Sequence, residues 1–198
     1  MQAFFAFPHC SQYRLIEVAL SIRTYLVIAI SLCFLTQWPV TQSWIAWDRE
    51  AIAHGEIWRI LTGNLTHTNW PHMLMNCLAL IIITFIFRSH FTARGYTALI
   101  LFLSVVIGVG ILATDIQWYA GLSGVLHGLF AWGAVRDIRT QTKGGWLLLA
   151  GLVLKIGWEQ YYGGSTSSAA LIGARVAIEA HLIGAVSGLI AGYTQRHK

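Results

Sequence analysis

Ala180-His181-Leu182-Ile183-Gly184-Ala185-Val186-Ser187-Gly188-Leu189-Ile190-Ala191-Gly192 carries a glycine at every fourth position from 184 onward and no carboxylate, lysine or arginine. Residues four apart share one face of a helix. A helix with one bare glycine face and otherwise apolar sides suits close packing against a partner helix inside a membrane, where small residues let backbones approach. His181 lies three residues before Gly184 and shares that face. It would therefore meet whichever helix packs on the glycines.

The rest of the chain fits the same solvent. Of its 198 residues, 56% are hydrophobic and 11% are charged, against about 25% charged in an ordinary soluble domain. Such a chain cannot cover a water-facing surface. The net charge of +5 raises nucleic acid as a partner, but the basic residues sit in short clusters between apolar runs, so lipid and not nucleic acid is expected. The length suits one domain over 1–198. With about 20 apolar residues needed per crossing, six spans are predicted: Ile22–Trp38, Pro71–Phe87, Tyr96–Ala113, Leu122–Val135, Gly145–Trp158 and Ala170–Tyr193. The fold class is an all-α membrane bundle. Arg14, Arg23, Arg88, Arg94, Arg136, Arg139, Lys143, Arg196 and Lys198 fall on one side; Arg49, Arg59, Lys155 and Arg175 fall on the other. That bias places both termini in the cytoplasm. No cleavable signal peptide is evident.

The segment 39–70 reads as a long outer loop. Trp38, Trp44, Trp47, Trp58 and Trp70 are expected at the headgroup layer. Gly163–Ser168 reads as a flexible loop before the last span. Cys10, Cys33 and Cys77 have neither disulfide nor metal spacing; the last two are expected as buried thiols. Arg175 and Glu179, four apart, are expected to pair.

Polar groups inside spans are costly and mark function by default. In Gly121-Leu122-Ser123-Gly124-Val125-Leu126-His127-Gly128 a serine stands among small residues at the start of the fourth span. Alone, this pattern more often marks helix packing than chemistry. With a base to take its proton, the hydroxyl becomes a nucleophile. His181 supplies that base if its helix packs on the fourth. His127, one turn after Ser123, is a competing base; it ranks lower because two side chains on adjacent turns of one helix have little freedom to align. In His67-Thr68-Asn69-Trp70-Pro71-His72-Met73-Leu74-Met75-Asn76, Pro71 suits a first helical turn. His72 and Asn76 share a face and carry N–H donors, of the kind that stabilise an oxyanion. The alternative is a polar cap on the second span. No metal-ligand spacing is present, and no metal or other cofactor is expected.

Together these residues resemble the rhomboid family of intramembrane serine proteases. Glu56-Ile57-Trp58-Arg59 is similar to the family's first-loop element, His72 and Asn76 to its HxxxN, Gly121-Leu122-Ser123-Gly124 to its GxSG, and Ala180-His181 with Gly184 and Gly188 to its AHxxGxxxG, over a core of 56–193. The resemblance implies a six-helix bundle with a water-filled cavity and a Ser123–His181 dyad rather than a triad. It also implies an oxyanion site of His72, Asn76 and the Ser123 N–H, with Gly121, Gly124, Gly184 and Gly188 structural around it. No acid is expected at His181, since Glu179, two residues away, faces elsewhere. His127 stands where many relatives carry tyrosine; it is expected to stack on His181, bond to it or shift its proton affinity. That departure and the short length resemble the rhombosortase branch of bacterial rhomboids. The branch implies an inner-membrane enzyme with a periplasmic site, acting on secreted proteins with a glycine-pair, apolar-helix, basic C-terminal tail. A general rhomboid, a non-catalytic client-binding relative and a small transporter are the other readings, the last requiring a polar stripe across the whole membrane depth. The sequence leaves the oligomeric state open.

Overall fold

A computed structural model describes residues 22–195 of the chain. Cys10, Arg14, Arg196 and Lys198 lie outside the described residues. The helices are α1 (Ile22–Leu35), α2 (Pro39–Ile45), α3 (Arg49–Ala53), α4 (Arg59–Thr62), α5 (Trp70–Ile86), α6 (Ala93–Gly110), α7 (Ser123–Arg139), α8 (Gly145–Tyr162), α9 (Thr166–Ile172) and α10 (Ile178–Thr194). Two short strands, β1 (Trp47–Asp48) and β2 (Trp118–Tyr119), pair antiparallel.

The six helices of 14 residues or more lie where the six spans are predicted. Their boundaries differ. The fourth runs to Arg139 and the fifth to Tyr162, past its expected end at Trp158. The predicted sixth span divides into α9, which Ser165 caps by accepting from the Ser168 N–H, and α10. The segment 163–168 is therefore part cap and part helix rather than a free loop. Among the described residues, Ala93–Ala113 is the one continuous helix long and apolar enough to cross a bilayer by itself, at mean hydropathy 2.5. α1 and α2 meet that requirement only together, across a bend of 105°.

The packing centre is the seam between α7 and α10, the most extensive contact between any two elements. A Cβ on Gly184 would collide with the Gly124 carbonyl, and one on Gly188 with the Gly128 carbonyl. A Cβ on Gly124 would in turn stand 2.9 Å from the Ala180 carbonyl oxygen. The glycine face predicted for α10 is thus filled by the backbone of α7. Leu103, Ile107, Val125, Leu129 and Ala180 are fully buried around it. On the outside, Leu74, Leu78 and Phe85 of α5 and Leu147, Val153 and Leu154 of α8 are exposed. So wide an apolar belt is foreign to a water-facing monomer.

The segment between α1 and α5 folds back on the bundle through backbone carbonyls. Buried Arg59 closes the segment on itself: it donates to the carbonyls of Ser43 and Ala46 and pairs with Glu56 at 2.6 Å. Arg49 reaches the carbonyls of Ile111, Leu112, Thr114 and Ile116. Trp38, Trp44, Trp58 and Trp70 are exposed as expected for interfacial residues. Trp47 is not: it is 1% exposed, and its indole N–H donates to the Gly108 carbonyl at 2.8 Å. A buried indole needs such a partner, and β1 pairing directs it inward. Cys33 and Cys77 are buried free thiols, and Arg175 pairs with Glu179. At the end of the bundle away from Ser123, His90 Nε2 lies 2.6 Å from Asp137 Oδ1.

Gly184→Ala and Gly188→Ala are each expected to lower stability by about 1–3 kcal/mol, because the neighbouring atoms are backbone and cannot yield. Gly157→Ala, where a Cβ meets nothing within 4 Å, should raise it by up to about 1 kcal/mol. Thermal unfolding in detergent measures all three.

Candidate functional site

The serine is delivered by a turn that only glycine fits. Gly121 has φ +149°, and a Cβ there would stand 2.8 Å from His72 Cε1. The turn is held from three sides. Tyr119 Oη donates to the Gly121 carbonyl at 2.5 Å, the Gly121 N–H donates to the Gly63 carbonyl at 3.1 Å, and the Leu122 N–H donates to His67 Nε2 at 3.4 Å. β2 pairs with β1 immediately before this turn, so the first loop sets its position. Ser123 is then the first residue of α7. Its backbone N–H belongs to the set that has no intrahelical partner.

Across the seam, His181 Nε2 lies 2.9 Å from Ser123 Oγ. The other ring nitrogen, Nδ1, lies 2.9 Å from Glu159 Oε2. The carboxylate can only accept, so Nδ1 carries the proton and bare Nε2 faces the serine hydroxyl. Glu159 is 3% exposed and its second oxygen pairs with Lys155, one turn earlier on α8. His127 stacks on the His181 ring, with centroids 4.1 Å apart and planes at 18°. Its Nδ1 lies 2.8 Å from the Ser123 carbonyl, which fixes the proton there. His127 therefore braces the ring from its face and makes no bond to the serine hydroxyl.

His72 and Asn76 line the same cavity as Ser123 and His181, about 260 Å³ in volume. Asn76 follows His72 by one turn of α5, and its buried amide nitrogen donates to no protein group. His72 is engaged differently. Thr68 donates its hydroxyl to the Ile172 carbonyl at 2.6 Å, so at 3.0 Å it accepts from His72 Nδ1. A neutral His72 consequently presents a bare Nε2, an acceptor rather than a donor. A second, more apolar cleft lies between α5 and α8, lined by Met75, Ala79, Ile83 and Leu152, and also reaches Ser123. A metal ion would find His127, Glu159 and His181 with ligand atoms within 4.8 Å of one another. All of those atoms but one oxygen of Glu159 and Nε2 of His127 are already joined to Ser123 or to each other, and that oxygen holds Lys155.

A family model of the rhomboid domain matches residues 54–198. The chain belongs to the rhomboid family. Its members are intramembrane serine proteases, which makes this an integral membrane protein. No curated protein shows a significant match to the sequence. Three of the four rhomboid motifs read from the sequence meet at one cavity, with Ser123 and His181 in contact and His72 and Asn76 on its wall, while the Glu56–Arg59 element lies in the first loop away from it. The expectation that no acid reaches His181 is overturned by Glu159. Spacing in the sequence tests for an acid only along the helix of His181 itself, and the predicted fifth span ends at Trp158, one residue before the carboxylate. The usable signal is the Lys155–Glu159 spacing of four in an apolar segment, where such a pair has no bland reason to stand. Trp118 lines the cavity, while Trp158, Tyr161 and Tyr162 are exposed outside it.

His67, beneath the turn, is fully buried. Burial, with His72 nearby as the lesser cause, pushes its imidazole down to about 3 from an ordinary 6.5. The unfolded chain takes a proton there near 6.5 and the folded chain does not, so folding stability falls as the pH drops from 6.5 toward 3. A His67→Gln variant should show a flatter loss of thermal stability across that window than wild type, by about 1.4 kcal/mol per pH unit.

Proposed function

We propose that this rhomboid is an intramembrane serine endopeptidase with Ser123 as nucleophile and His181 as general base. The 2.9 Å contact between Ser123 Oγ and the bare Nε2 of His181 at the cavity wall carries the reading. The serine attacks the scissile carbonyl carbon, its proton passes to His181, and His181 returns that proton to the leaving amine as the C–N bond breaks. Water, activated by the same ring, then releases the acyl-enzyme. The oxyanion is held by the Ser123 N–H and the Asn76 amide, both with donors to spare; His72 joins them when a second proton stands on its Nε2.

Six helices, α1, α5, α6, α7, α8 and α10, cross the bilayer, with both termini cytoplasmic and the cavity facing the periplasm from a bacterial inner membrane. The substrate is a membrane-anchored protein. Its anchor lies in lipid and its unwound end reaches Ser123 along the apolar cleft between α5 and α8. A cavity this small favours glycine, which leaves a helix at little cost and carries no side chain. That supports the rhombosortase branch and its substrates, secreted proteins with a glycine-pair, apolar-helix, basic C-terminal tail.

Co-expression with such a tailed protein, followed by mass spectrometry of the product C-terminus, tests the proposal. A defined cut with wild type and none with Ser123→Ala or His181→Ala is expected. A Ser123-dependent cut only in a generic single-span protein would discard the branch, and cleavage retained in Ser123→Ala would discard the nucleophile. Asn76→Ala is expected to lower turnover by about 10²–10³-fold. His72→Ala should cost less at neutral pH, since the neutral ring offers the oxyanion no proton.

A further inference from the structure

A neutral imidazole has one N–H, and only the tautomer with that proton on Nδ1 leaves Nε2 free to take a proton from serine. In water the two tautomers interchange. Here the choice is made by Glu159, whose carboxylate oxygen lies 2.9 Å from Nδ1 on the far side of the ring from Ser123. The contact is enclosed, with Glu159 3% and His181 5% exposed. A carboxylate this deep is costly unless it is paired and hydrogen-bonded. Lys155 meets that cost from the neighbouring turn: its ammonium takes Oε1, which leaves Oε2 to the histidine. Lys155 is itself about half exposed, so its charge stays hydrated while it steers the carboxylate. The result is one continuous line of bonds, Lys155–Glu159–His181–Ser123, across three helices.

The helices make this line specific. Glu159 comes from α8, whereas the seam that sets the serine–histidine contact is made by α7 and α10 alone. Nothing in that seam requires an acid at this position of α8. The charged and titratable groups around the His181 ring are His127 on α7, stacked on its face; Lys155 and Glu159 on α8; His72 on α5; Arg175 at the cavity wall before α10; and Glu179 on α10 itself, paired with Arg175. Of the two carboxylates, only Glu159 bonds to the ring.

Resting on the Ser123–His181 reading, we infer that Glu159 is a positioning residue that makes this rhomboid's dyad a Ser–His–Glu triad. Glu159 fixes the reactive tautomer of His181 and stabilises the imidazolium that forms when Ser123 attacks. Lys155 orients the carboxylate. Glu159 takes no proton in the cycle: the serine proton moves to His181 Nε2 and on to the leaving nitrogen, while the Nδ1 proton stays between His181 and the carboxylate.

The test uses the full-length protein in detergent and a fluorophosphonate probe, with which Ser123 Oγ forms an O–P bond as fluoride leaves and its proton passes to His181. Labelling rates are measured from about pH 5 to 9, the range over which an active-site histidine titrates. Ser123→Ala must remain unlabelled. If it labels like wild type, or if neither labels, the Ser123–His181 reading fails and the triad with it. With that control in place, Glu159→Gln is expected to label about 10²–10⁴-fold more slowly. The midpoint of its pH profile should also move to lower pH, because the imidazolium has lost its carboxylate. Glu159→Asp should recover part of the rate, and Lys155→Met should show a smaller loss in the same direction. A Glu159→Gln protein that labels at the wild-type rate with an unmoved midpoint overturns the triad and leaves the dyad standing. If Glu159→Gln fails to fold, nitrogen shifts of ¹⁵N-histidine in the wild-type protein, assigned by their loss in His181→Gln, decide the matter. A protonated Nδ1 and bare Nε2 support the triad, and the reverse tautomer overturns it.

Discussion

Backbone-to-backbone contact between α7 and α10 is the constraint on which the site depends. In lipid no hydrophobic force draws two apolar helices together; close packing and hydrogen bonds must do it. Gly184 and Gly188 let α10 rest directly on the carbonyls of Gly124 and Gly128. Ser123 is one residue from the first of these carbonyls, and His181 is three residues from the first of these glycines. The register that seats the glycines is therefore the register that brings the two side chains to 2.9 Å. A shift by one residue along α10 would drive side chains into the backbone of α7 and separate the pair as well. Packing and chemistry are specified by the same few small residues.

A second layer of structure keeps the serine end of α7 in place. The chain between α1 and α5 is tied to the bundle through carbonyl oxygens by Arg49 and Trp47 and closed on itself by Arg59, and it reaches the turn before Ser123 through strand pairing and the Gly63 carbonyl. Buried polar groups without partners are rare because each carries the full penalty of desolvation. Two of the bonds that hold the Gly121 turn come from this segment, one to the Gly63 carbonyl and one to His67 Nε2. The amide nitrogen of Asn76 has no protein partner, and Asn76 lines the cavity.

Electrostatics at the histidine follow from depth. Lys155, Glu159 and His181 form a compensated line in which each buried group has a partner of complementary kind. His127 closes the ring's open face and commits its own proton to the Ser123 carbonyl. The imidazole is thereby held at both nitrogens and on one face.

By itself, the sequence determined the helical membrane class and the positions of the long helices, and it singled out Ser123 and His181, which only the resemblance to the rhomboid family paired. These rest on local patterns: apolar runs, glycine spacing along one helix, and motifs of a few consecutive residues. His72 and Asn76 were legible for the same reason, being one turn apart. Tertiary structure alone decided that Trp47 is buried while its neighbours in the first loop are exposed, that the last predicted span breaks into α9 and α10, and that Glu159 reaches His181. Each of these depends on which element lies beside which, and 22 residues separate the carboxylate from the ring it touches. A single turn of helix is visible in the spacing of residues. A contact between two helices becomes visible only when packing has brought their faces together.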